Sequence, residues 1–143
     1  MVRKTSDAAA HAGSWQWSRT AARRRNLLDA AASVFCEQGF TAAGISDIVS
    51  RSGSSVGSLY HHFGGKTELF LALWDDYQNE HERLVAAAVA KARKSGEDDP
   101  LALFNVGSRT YFDYTWKHRD LERVFIEGDT PPWLRGPAPR AWP

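Results

Sequence analysis

The chain reads as all-α: three helices forming a unit with a helix-turn-helix, then a partial second helical domain. Three observations predict this. Apolar residues recur at three- and four-residue spacing in the runs around Leu27–Phe35, Ile45–Val49 and Phe70–Ala88. Glycines stand where those runs end, at Gly39, Gly53, Gly64-Gly65 and Gly96, and glycine takes the left-handed conformation that stops a helix at little steric cost. Five of the six prolines follow Gly128, where no helix of useful length can form.

Residues 1–18 are rich in Ala, Ser and Gly, with Trp15 and Trp17 as bulky members, and read as a flexible arm. Arg19, Arg23, Arg24 and Arg25 follow. Such a run is either a solvated helix end or a set of phosphate contacts. From about Thr20, the positions Leu27, Leu28, Ala31, Val34 and Phe35 predict a first amphipathic helix. It should run to Gln38 and stop at Gly39, with Phe40 folding back onto it. Ile45, Ile48 and Val49 mark a short second helix ending at Ser52-Gly53.

The stretch Gly53–Lys66 organises the rest. Ser54 and Ser55 suit the N-cap of a third short helix, because a serine oxygen accepts from unpaired N–H groups of the first turn. Val56, Leu59, Tyr60 and Phe63 lie on it, and Gly64-Gly65 stops it. Its outward residues, Ser55, Gly57, Ser58, Tyr60 and His61, are small or hydrogen-bonding. A helix this short needs neighbours to hold it, and this one is suited to lie close against a polar surface.

A long fourth helix is expected from Thr67, with Thr67 or its predecessor as cap. Phe70, Leu73, Tyr77, Leu84 and Ala88 form one apolar stripe along it, ending near Lys94-Ser95-Gly96. Glu97-Asp98-Asp99-Pro100 opens a fifth helix carrying Leu101, Phe104, Tyr111, Tyr114 and Trp116, and Leu121–Glu127 a short sixth. The domain reading is an arm over 1–18, a helix-turn-helix domain over 19–66, a partial helical domain over 67–128 and a Pro-rich irregular tail over 129–143.

Composition narrows the class. A 43% hydrophobic and 12% aromatic content supports a real core. No run reaches the roughly 18 apolar residues of a membrane span, and the N-terminus lacks a secretory apolar core, so a cytoplasmic location is expected. The single cysteine, Cys36, fits a reducing compartment. It reads either as a reactive thiol or, as is more usual, as a small apolar residue at a core edge. Net charge is +1, yet residues 1–66 hold 8 Lys/Arg against 4 Asp/Glu and residues 67–143 hold 10 against 13. A basic front half suits a polyanionic partner.

Two short helices joined by a tight glycine turn, braced by a longer helix before them, make a helix-turn-helix unit. Its last helix can enter a DNA major groove while flanking helices hold phosphates. The landmarks Gly39-Phe40, Ile45, Asp47-Ile48, Gly53, Ser55, Gly57, Leu59-Tyr60, Phe63, Lys66 and Leu69-Phe70 resemble the N-terminal domain of the TetR family of bacterial transcriptional regulators. They cover about a third of the chain.

The resemblance implies roles by position. Ser55, Val56 and Gly57 would open the recognition helix against base edges and backbone, glycine allowing close approach. Tyr60 would give its hydroxyl to a phosphate, His61 and His62 lie within similar reach, and Lys66 would add charge at the head of the next helix. Arg23 joins as a phosphate contact. The sequence departs from the pattern at Gly44, where a capping threonine or serine is common and Ser46 is the available substitute. It departs also at Ser54, an otherwise apolar site, and at Val56, which offers a thymine methyl an apolar contact but no hydrogen bond. Phe104, Tyr111, Tyr114 and Trp116 make an aromatic patch that reads either as core or as the wall of a pocket for an aromatic or apolar small-molecule effector.

The leading expectation is a ligand-responsive repressor that binds a palindromic DNA operator as a homodimer. The alternative is a helical ligand- or protein-binding module that no longer regulates DNA, because the family's closing dimerisation helices are not in this sequence. An enzyme is not expected, since no Ser/His/Asp set, phosphate-binding glycine loop or metal-ligand cluster is visible. The His61-His62 pair has no second ligand cluster beside it, so neither a metal nor another cofactor is expected.

Overall fold

A computed structural model describes residues 6–126 and 129–131, with side chains described from residue 16 onward. The described residues form six helices: α1 (Ser6–Ala42), α2 (Ile45–Ser52), α3 (Val56–Phe63), α4 (Lys66–Lys94), α5 (Pro100–Lys117) and α6 (Arg119–Ile126). None is long and apolar enough to cross a membrane.

The helix α1 is already helical at Ser6 rather than starting near Thr20 as its apolar spacing predicts. Residues 1–5 lie outside the described residues. The other end follows the sequence reading. Gly39 leaves helical geometry at φ 76°, ψ 171°, which turns Phe40 back into the core, 5.8 Å from the Phe35 ring.

The apolar stripe of α1 meets α2, α3 and the start of α4 in one core. Leu27, Leu28, Ala31, Val34, Phe35, Ile48, Leu59, Leu69 and Phe70 are all inaccessible or nearly so. Phe70 is the hub of its aromatic part. Its ring lies 5.5 Å from Phe35, 5.1 Å from Phe40 and 5.4 Å from Phe125 of α6, each near edge-to-face, the favoured arrangement for such pairs. Through Phe125, Leu121 and Val124, α6 packs onto this core. The core is therefore continuous across the boundary expected at residue 66.

Past that core α4 continues as a rod of 29 residues, about 43 Å long at the helical rise. Its stripe holds one residue the sequence reading left out. His81, four places after Tyr77, is buried and stacks on Tyr111 at 4.2 Å and Tyr114 at 4.9 Å. The Asp99 side chain caps α5 by accepting from the Ala102 N–H at 2.9 Å. Gly107 faces α4, where an added Cβ would lie in ordinary van der Waals contact, 3.5 Å from Val89 and 3.6 Å from Val85. In the expected Pro-rich tail, Asp129–Pro131 are non-helical, with Thr130 and Pro131 buried. Residues 132–143 lie outside the described residues.

Candidate nucleic-acid interface

The helix-turn-helix is closed by local chemistry. Gly53 caps α2 in the left-handed conformation at φ 64°, a geometry only glycine takes without cost. Ser55, in extended conformation, accepts from the Ser58 N–H at 3.1 Å, so it and not Ser54 caps α3. The backbone N–H of Ser54 bonds to the Ser52 hydroxyl and the Val49 carbonyl instead. Gly64, at φ 93°, ends the helix. The side of α2 is tied to α1 by a bidentate Arg51–Glu37 pair and by Gln38 donating to Asp47 at 3.2 Å.

One face of α3 remains open. Ser55, Val56, Gly57, Tyr60 and His61 are exposed, Val56 at 49% and Tyr60 at 50%, while Leu59 on the opposite face is fully buried. Gly57 is not required by the fold. Its φ is not positive, and an added Cβ would meet nothing closer than the Ser55 oxygen at 4.0 Å. The absent side chain leaves space on the outside of the molecule, at the amino end of a helix whose N–H groups and dipole favour anions. Ser46 is exposed in the first turn of α2. Gly44 is the N-cap there without any side-chain bond, as its lack of a hydroxyl requires.

The basic part of α1 reaches the far end of α3. Arg24 lies over the Phe63 ring at 5.4 Å. His62, half-buried with its ring 5.5 Å from His61, has its pKa held below the ordinary histidine value. Burial is the main cause, followed by the positive fields of His61, Arg23 and Arg24. Arg23 is exposed, so Arg23, His61 and His62 form one electropositive corner beside the open face of α3.

Lys66 is occupied elsewhere. Its ammonium donates to the carbonyls of Phe40 at 2.8 Å, Ala43 at 3.1 Å and Thr41 at 3.2 Å, and sits 4.7 Å from the Phe40 ring centre. A lysine has three protons to give, and three carbonyls take them. In this arrangement Lys66 braces the turn that follows Gly39. Gly65 is the N-cap of α4 and makes no side-chain bond, so the cap expected at Thr67 or Lys66 is absent too.

The same turn is gripped from its other side by a residue that sequence reasoning missed. Asp129 accepts from the Thr41 N–H at 3.1 Å and from the Thr41 hydroxyl. Only a carboxylate in an otherwise apolar and proline-rich segment hinted at it. Also unforeseen is the tie between α1 and α4, where Arg25 donates to Asp76 at 3.0 Å and to Asp29 at 2.9 Å, with Arg24 3.9 Å from Asp76. These bonds hold the arginines' guanidinium charge to raised pKa at Arg25, chiefly through Asp29.

The four residues expected to wall an effector pocket do not converge. Tyr114 faces a cavity of about 730 Å³ between α1, α4, α5 and α6, lined also by Arg25, Leu73, Asp76, Tyr77 and His118. Phe104 and Tyr111 border a separate groove with Val85 and Val89. Trp116 is 72% exposed, with Arg119 over its ring at 5.1 Å. In the first cavity the Tyr77 hydroxyl is buried without a hydrogen-bond partner of normal geometry, and its pKa is raised, mainly by burial and then by the nearby Glu122. Among the described residues, no group of three or more His, Cys, Asp or Glu side chains is arranged to hold a metal ion.

Comparison with known proteins agrees with this geometry. The profile of the family described as bacterial regulatory proteins, tetR family, matches residues 27–73, which run from the middle of α1 to the start of α4. The HTH-type transcriptional activator FasR of Mycolicibacterium smegmatis is 35% identical over 107 residues, covering 75% of this chain and 47% of that protein. The HTH-type transcriptional repressor KstR2 of Rhodococcus jostii is 38% identical over 71 residues, 47% of this chain and 35% of that one. The A-factor receptor protein of Streptomyces griseus is 42% identical over 52 residues, 36% of this chain and 19% of that one. The chain spans less than half the length of these relatives.

Proposed function

Starting from residues 27–73 as a domain of the tetR family of bacterial regulatory proteins, we propose that the chain is a DNA-binding transcriptional regulator and not an enzyme. In the finer reading it is a ligand-responsive repressor, and two copies hold two recognition helices about one DNA turn apart on a palindromic operator. The open face of α3 carries this reading, and Gly57 is its centre. Glycine stands in the first turn of α3 at a position where neither backbone angle nor packing asks for it. Close approach of an external surface accounts for it.

Ser55, Val56 and Gly57 then meet base edges and the adjoining backbone, with Val56 seated on a thymine methyl. Tyr60, His61, Arg23 and Ser46 serve phosphates. An effector takes the cavity beside Tyr114. Its wall includes the Arg25–Asp76 pair that ties α1 to α4, so occupancy there can shift the helix-turn-helix relative to α4.

The test is a gel-shift titration against DNA from upstream of the gene over a range of salt. Affinity should fall steeply as salt rises, because neutralised phosphates release counterions. Salt-insensitive or undetectable binding at every concentration sinks the proposal.

A further inference from the structure

We infer that the side of α1 carrying Gln16, Arg19, Arg23 and Asn26 is a second DNA-contact element, which lies along the phosphates flanking the site met by α3. The inference rests on the DNA-binding reading and adds to it a surface ahead of the helix-turn-helix.

The helix begins well before its core does. It is helical from Ser6, and Leu27 is its first buried residue among those described, so about 30 Å of helix precedes the packed domain. The arginines near that junction are sorted by side. Arg24 and Arg25 pair with Asp76 of α4, and Arg25 also with Asp29. Arg19 and Arg23 have no hydrogen bond or ion pair among the described residues, and neither do the side chains of Gln16 and Asn26.

Helix geometry shows which way the uncompensated pair looks. Glu37 marks the side of α1 toward α2, because it holds Arg51 there. Arg19 precedes Glu37 by about five turns of 3.6 residues and so lies on the same side. Arg23 and Asn26 fall within about 40° of it and Gln16 within about 60°, whereas Arg24 and Arg25 are more than about 100° away. Gln16, Arg19, Arg23 and Asn26 thus follow at spacings of three and four as one exposed row of hydrogen-bond donors. The row runs into the corner made by His61 and His62 at the end of α3, since the charge of Arg23 acts on His62. A surface that only meets solvent mixes both signs; this row holds cations and amides without a carboxylate. Arginine and amide side chains are the donors that position a protein on the DNA backbone. From Gln16 to Asn26 the row measures about 15 Å at the helical rise, the rise of about four nucleotides along one strand.

The experiment uses the full 143-residue chain on DNA from upstream of the gene. Hydroxyl-radical footprinting should show backbone protection continuing about four nucleotides beyond the site of α3. Arg19→Ala, which keeps the helix because alanine is the best helix former, should lose that outer protection and retain the inner. In gel-shift titrations it should reduce the slope of log affinity against log salt by about 0.9, the share of one phosphate, and weaken binding at low salt by about three- to tenfold. Arg93→Ala removes the same charge at the exposed far end of α4 and should leave the slope unchanged. On a duplex trimmed to the inner footprint, the parent and Arg19→Ala should bind alike. Equal slopes and footprints for the parent and Arg19→Ala on the long duplex overturn the inference and leave α3 as the contacting helix. A loss shared equally by Arg93→Ala also overturns it, since net charge alone would then be the cause. Absence of DNA binding by the parent removes the DNA-binding reading itself, and this inference with it.

Discussion

The Lys66 ammonium is enclosed by the turn it supports: 2.8 Å from the Phe40 carbonyl oxygen and 4.7 Å from the centre of the same residue's ring. The carbonyls it binds belong to the chain just after α1 breaks at Gly39, where helical partners are lost. One cation thus finishes the end of α1 and fixes the entry to α2.

Replacing Lys66 with methionine keeps the stem and removes the charge. Hydrogen bonds from a charged donor contribute about 1.5–3 kcal/mol as a group when one partner is lost, and partial exposure of Lys66 puts the expected loss toward the lower figure. Urea unfolding should show it as a lower midpoint with unchanged slope. If instead the midpoint held and only DNA affinity fell, Lys66 would be a phosphate contact after all.

Gly57→Ala separates folding from binding. The fold has room for the methyl group, so the domain should be as stable as its parent or slightly more so, since alanine is the better helix former. DNA binding should weaken by about tenfold or more, since 1.4 kcal/mol of lost contact suffices. A variant that is at least as stable and binds as well as its parent would remove the main support for α3 as the contacting helix. In the same assay Val56→Ala should change the preferred site sequence, while Tyr60→Phe should weaken all sites alike.

Binding should also depend on pH in a defined direction. His62 has a lowered pKa in the free protein, from burial and from the positive charges of His61, Arg23 and Arg24. It therefore resists protonation when the unfolded chain would take the proton near pH 6.5. In isolation this makes the fold less stable as pH falls through that value. A phosphate nearby reverses the sign for binding. It favours the charged form, a proton is taken up with DNA, and affinity rises as pH drops from about 7.5 toward about 6. His62→Gln should flatten that slope in a gel-shift series; an unchanged slope would place the proton elsewhere.

Asp129→Ala tests the grip on the other side of the turn. Loss of the two bonds to Thr41 should cost about 1–2 kcal/mol in thermal or urea unfolding. Thr41→Val should reproduce part of the loss, as it removes the hydroxyl but keeps the N–H.

The local structure was readable in the sequence wherever short-range chemistry decides it. Gly53, Ser55 and Gly64 announce the two short helices, and the stripe from Leu27 to Phe35 announces their brace. The exposed face of α3 follows from Leu59 and Phe63 pointing the other way. The tertiary partners of charged groups were not readable. Lys66 looks the same in a sequence whether it faces phosphate or carbonyl, because the choice depends on where Gly39 sends the chain. Asp129 and Asp76 find partners far along the sequence, and no periodicity encodes such pairs. The aromatic run of α5 misled for a related reason. Phe104, Tyr111, Tyr114 and Trp116 are close in sequence, but a helix turns about 100° per residue: Phe104 and Tyr111, seven apart, border one groove, while Tyr114 lines the cavity against α1 and Trp116 is exposed. Residues 6–18 were read as loose because Ala, Ser and Gly are common in arms; Ala is also the best helix former.

The bond between Asp129 and Thr41 spans 88 residues, and this separation orders events during synthesis. At roughly 5–20 residues per second, the ribosome has finished α1, α2 and α3 several seconds before Asp129 is made. For that interval the turn is held by Lys66 and by Phe40 packed on Phe35 and Phe70, without the carboxylate or the aromatic ring of Phe125. Asp129 and Phe125 are thus made only after every residue of the turn and core they join.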